Sequence, residues 1–132
     1  MGDKAGSKYA QYVVTDLPQF EDMEGHHNAP PSWIYPHIFP GVNMRINGMD
    51  ASKRVRDPHA DPHVHADHPE IYLSVTDSRG DVVIEVQMED EKFTVKSPFA
   101  VFIPPGTKHC FTVLKCDLPN YVFGIHLLDY KR

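Results

Sequence analysis

The densest chemistry in the sequence is the stretch Asp57-Pro58-His59-Ala60-Asp61-Pro62-His63-Val64-His65-Ala66-Asp67-His68-Pro69-Glu70. His63 and His65 are two residues apart, so on an extended strand both imidazoles leave the same face and can meet one ion. A short connection through Pro69 returns the chain, and Glu70 then offers an anionic oxygen within reach. Far downstream, Pro104-Pro105-Gly106-Thr107-Lys108-His109 makes a tight turn that ends on another histidine. Three imidazoles and a carboxylate suit partial coordination of one divalent transition-metal ion, Fe, Mn, Ni, Co, Cu or Zn, with positions left over for water or substrate. A single histidine is usually a surface or packing group, but four donor groups in two compact segments are harder to read that way. His59 and His68 share the stretch and compete as ligands, although each sits in a polar turn beside a proline, where a solvated side chain is the simpler reading. His26, His27 and His37 fall in an N-terminal arm, where exposure is the default.

These side chains need a rigid frame, and the rest of the sequence supplies the pattern for one. After Gly41 come short β-branched and aromatic runs: Val42–Met49, His63–His65, Glu70–Thr76, Asp81–Met88, Lys92–Val95, Ala100–Ile103, His109–Leu114 and Tyr121–Leu128. Turn formers separate them, as in Asp57-Pro58, Asp61-Pro62, Asp77-Ser78-Arg79-Gly80, Glu89-Asp90-Glu91 and Pro104-Pro105-Gly106. Val82, Ile84, Val86 and Met88 alternate with Val83, Glu85 and Gln87, which predicts one buried and one wetter face. Helix should be scarce, because no run of comparable length has a helical apolar period. The expected fold is all-β, a jelly roll or closed barrel over residues 42–132. Residues 1–41 form an extended N-terminal arm. Its stretch from Ala29 to Gly41 carries four prolines among Trp33, Ile34, Tyr35, Ile38 and Phe39, which excludes helix but still calls for burial against the barrel or a partner subunit.

The two chemical segments resemble the two motifs of the cupin superfamily. The first, His-x-His followed after a short gap by Glu, reads His63-Val64-His65 and then Glu70; the second, Pro-x-Gly-x-x-His, reads Pro104-Pro105-Gly106-Thr107-Lys108-His109. The resemblance spans about residues 42–128. It implies a cupin jelly-roll barrel, metal ligands His63, His65, Glu70 and His109, and association as a homodimer. The departures are in glycines and a trailing Asn: Asp57, Asp77 and Pro98 stand where the motifs usually have Gly, and Val113 where the second usually has Asn. They leave every ligand in place.

Around the ion, His126 interrupts an otherwise apolar final strand and is a candidate proton donor or acceptor, with a packed histidine as the equal alternative. Tyr72 and Ser74 share the parity of Glu70 and should line the same cavity; Tyr72 is a candidate for catalysis and for hydrogen bonding to substrate, against the commoner role of a core tyrosine. Arg45 is a candidate clamp for a substrate carboxylate, although its parity puts it opposite Met44 and Ile46, on the solvent face if those two are core. Phe102, Ile103, Phe111 and Trp33 read as core or interface packing. Cys110 follows His109 and should face away from it, and it and Cys116 read as reduced thiols.

With 132 residues and 41% hydrophobic content, one domain is expected. A net charge of −5 argues against nucleic acid, and no long apolar run suggests a membrane span or leader, so a cytoplasmic protein with a small-molecule substrate is expected. The favoured function is a metal-dependent enzyme, an iron dioxygenase acting on a small organic acid, diketone or phenol. The alternatives are a redox-neutral isomerase, lyase or decarboxylase using a Lewis-acid ion, and a non-catalytic metal-dependent binding protein.

Overall fold

Alternation along the chain decides which side chains turn inward. In the computed structural model, which describes residues 6–17, 32–36 (backbone only), 39, 41–57 and 60–131, Val82, Ile84 and Val86 are completely buried while Val83, Glu85 and Gln87 are not. The strands are β1 (Ser32–Pro36), β2 (Met44–Asp50), β3 (Glu70–Ser74), β4 (Val83–Met88), β5 (Glu91–Lys96), β6 (Phe99–Ile103), β7 (His109–Lys115) and β8 (Tyr121–Leu127). Helix is limited, among the described residues, to two short 3-10 turns, Ala10–Tyr12 and Ala51–Lys53.

The strands form a five-stranded sheet, β1-β2-β8-β3-β6, and a three-stranded sheet, β5-β4-β7, with every pairing antiparallel. Met49, Tyr72, Ile103 and Val122 from the larger sheet share one core with Ile84, Val86, Phe111 and Val113 from the smaller. This is the two-layer jelly roll expected from the sequence. Ile84 is at the centre of that core with no exposed surface. Ile84→Ala should therefore cost about 3 kcal/mol of unfolding free energy, read as a lower urea midpoint at unchanged slope.

Two elements differ from expectation. The segment 32–36 is not merely extended: it pairs with β2 as the edge of the larger sheet, where Pro36 at the strand end is tolerated. The stretch His63–His65 is not a strand. Prolines at 62 and 69 restrict the backbone on either side, and only His63 makes a bridge, to His109. Phe102, read as core or interface packing, is not core: it is 46% exposed, with a parity opposite to that of Ile103. It shares the outer surface with partly exposed Tyr121, Phe123 and Tyr130. Among the described residues no helix is long and apolar enough to cross a membrane.

Candidate metal centre

Backbone hydrogen bonds join the two distant histidine segments before any side chain is considered. His63 and His109 exchange amide-to-carbonyl bonds of 3.0 and 2.9 Å, and the Gly106 amide donates to the His65 carbonyl at 2.8 Å. Gly106 can do so because it takes φ +79°, the left-handed position of the turn that starts at Pro104. Glu70 opens β3, in register with Ile103 on one side and His126 on the other, so its side chain points into the same space.

There the ligand atoms of His63, His65, Glu70 and His109 all lie within 4.8 Å of one another. The Nδ1 of His63 lies 2.7 Å from the Asp61 carbonyl, and the Nδ1 of His109 lies 2.7 Å from that of Thr107. A carbonyl only accepts, so each Nδ1 carries the proton and each Nε2 presents a lone pair. The His109 Nε2 is 3.0 Å and the His65 Nε2 3.5 Å from Glu70 Oε1. Lone pairs and a carboxylate converging in a buried space repel one another unless a cation, either a proton or a metal ion, lies among them. The donor set thus fits a divalent transition-metal ion, and the backbone carbonyls behind the rings hold them in the tautomer that ligation needs. Burial pushes the Glu70 carboxyl up, but the imidazoles of His109, His126 and His65 set against it outweigh burial and hold the group well below the usual carboxylate range.

A second layer of polar groups backs the four. His126 has no exposed surface, and its Nε2 lies 3.1 Å from Glu70 Oε2. Asn47 Nδ2 lies 3.2 Å from the same ring nitrogen, and Arg45 Nη2 lies 3.2 Å from His126 Nδ1. His68 Nε2 is 3.1 Å from His126 Nδ1, while His68 Nδ1 is 2.9 Å from Asp67 Oδ1. Burial lowers the His126 pKa more than Glu70 raises it, so the ring is held neutral. Tyr72 is buried with its ring packed at 4.8 Å on Phe111 and 6.2 Å from His109, between the ligands and the apolar core. Burial and then the charge of Glu70 push its hydroxyl well above the ordinary value, so it stays protonated.

The sequence reading requires correction at two residues. Arg45 does not face solvent: it stands opposite His126 on the inward face of β2, with Asn47 and buried Met49, because Met44 and Ile46 take the outward positions. His68 is not a solvated turn residue. It stacks on His65 at 4.9 Å and belongs to a second group, His65, His68 and His126, whose ligand atoms are also mutually within reach. The Arg45 guanidinium against His126 opposes a second cation there. His26, His27, His37 and His59 lie outside the described residues. Asn47 and Gly124 carried no signal in the sequence. Gly124 follows the inward parity of Val122 and His126, and the Glu70 carboxylate occupies the place where a side chain at 124 would begin.

The sequence matches no family model and no curated protein. Its structure is similar to that of a cupin protein from Bacteroides fragilis, with a TM-score of 0.59 at 11% identity over 90% of each chain. A cupin 2 conserved barrel domain protein from Salinispora arenicola gives 0.52 at 17% identity, covering 89% of this chain and 95% of that one. KdgF from Halomonas sp. gives 0.50 at 20% identity, covering 77% and 84%. With two antiparallel sheets enclosing one core and a three-histidine, one-glutamate cluster between them, this chain has the fold of the cupin superfamily.

Proposed function

We propose that the chain is a metal-dependent cupin enzyme acting on a small oxygen-bearing organic molecule, with an iron dioxygenase reaction as the leading reading. The observation that carries it is the convergence of the His63, His65 and His109 rings on the Glu70 carboxylate, with Nδ1 protons of two rings committed to backbone carbonyls. Iron, when bound there, would supply activation of O2 and of a coordinated substrate oxygen. The chain's own part is to hold the ligands, exclude bulk water and manage protons. Neutral His126, hydrogen-bonded through Nε2 to Glu70 and sealed from solvent, is the group suited to take a proton at Nδ1, and Tyr72, which stays protonated, can only give one. A redox-neutral Lewis-acid reaction would use the same His126 as its base.

Oxygen uptake separates these readings. Protein reconstituted anaerobically with Fe(II) should consume O2 when mixed with a small organic acid, diketone or phenol that it turns over. Turnover unchanged in the absence of O2 removes the dioxygenase, and ligands that bind at the ion without ever being converted remove the enzyme. His126→Gln is expected to keep its metal content and lose at least about 100-fold in turnover.

A further inference from the structure

Beside the metal ligands, the inner wall of the larger sheet carries groups that coordination does not use. Arg45 and Asn47 project from β2 next to His126, each only partly buried as a residue. Within that setting the Arg45 Nε and the Asn47 Oδ1 are both buried with no hydrogen-bond partner among the described residues. Polar atoms left in that state destabilise a fold unless a ligand or ordered water meets them. Arginine also keeps its charge at any working pH, whatever its burial. The negative charge nearest to it is Glu70, which the bound ion would neutralise. With the ion in place the cavity is net positive and poorly hydrated, a setting in which an anion is strongly attracted.

We infer that Arg45 is the carboxylate-binding end of the substrate site, so that the substrate is a small organic acid reaching from the metal to the guanidinium. The inference rests on the metal centre proposed above and adds the substrate class to it. Guanidinium suits this role because its planar N–H groups match the two oxygens of a carboxylate. The opposite strand imposes the length: Arg45 and His126 are cross-strand partners and Glu70 is the next partner of His126, so the substrate's two polar ends lie only about two strand spacings apart, roughly 10 Å or less.

The test uses Co(II)-loaded full-length protein and matched 2-hydroxy acids as probes. Lactate offers the metal a hydroxyl and a carboxylate; malate and 2-hydroxyglutarate offer the same head and add a second carboxylate at two spacings. Calorimetric titration should show at least one dicarboxylate binding about tenfold or more tightly than lactate. In Arg45→Met the preference should vanish while cobalt content and lactate affinity stay as in the unaltered protein. Arg45→Lys, which keeps the charge but loses the planar fork, should retain part of the preference, and it preserves the test if the Met variant does not fold. No preference in the unaltered protein, or full preference in Arg45→Met, overturns the inference and leaves the metal centre standing. Protein that takes up no cobalt fails earlier, at the metal centre itself, and takes the inference down with it.

Discussion

Glu70→Gln should bind divalent transition metals more than about 100-fold more weakly than the unaltered protein, measured by competition with a chromophoric chelator. Glu70 is the one anion among the four donors and is only 5% exposed. The replacement is nearly isosteric, so the strand pairing of β3 should persist and the far-ultraviolet circular dichroism should not change. What changes is charge: a neutral amide cannot offset a divalent ion in a poorly hydrated cavity. Affinity within about threefold of the unaltered protein would mean that the ion, if any, sits elsewhere. The same centre should also lose affinity as pH falls from 7.5 to 5.5. Glu70, already held well below the usual carboxylate range, remains ionised across that window and does not cause the loss. Protons and the ion instead compete for the Nε2 lone pairs of the imidazoles, so acid favours the metal-free form and binding releases protons. An affinity that is flat across the window would exclude imidazole ligation.

Gly124→Ala should weaken metal binding by about tenfold or more while leaving the fold intact. A Cβ at 124 would run into Glu70 Oε2, and Asn47 Nδ2 stands 3.7 Å away on the other side. The obstacle is the tip of a side chain, so the backbone need not move, and alanine suits a strand better than glycine does. The carboxylate, however, has to leave the position in which it meets His109, His65 and His126. Stability and metal affinity are thus expected to separate. Gly48→Ala is the matched control: its Cβ would approach the Phe123 ring at 3.0 Å, but that ring is partly exposed on the outer face and can swing into solvent. Metal affinity in Gly48→Ala should equal that of the unaltered protein. Equal metal affinity in Gly124→Ala would show that the position of the Glu70 carboxylate is not what the ion depends on.

The parts of this protein legible in its sequence are those governed by short-range rules. Alternation in Val82–Met88 announced a half-buried strand, and prolines, glycines and acidic residues marked the turns, so the all-β class and most strand positions followed from local chemistry. The four-donor cluster was legible for the same reason: residue types at fixed spacing in two motifs imply a shared ion whatever lies between them. Burial of Glu70, Tyr72 and Ser74 on one face of β3 also followed from parity alone.

What escaped depended on which strand lies beside which. Parity told that Arg45 and Met44 face opposite ways but not which way is inward, and only the pairing of β2 with β8 turned Arg45 and Asn47 towards His126. His68 looked like a solvated turn residue until the return of the chain into β3 set it between Asp67 and His126. Gly124 had no chemistry of its own to read; its importance is the space it leaves for a carboxylate from another strand. Residue type and spacing therefore determined the His63, His65, Glu70 and His109 donor cluster, while the cross-strand register, a long-range property, decided its surroundings.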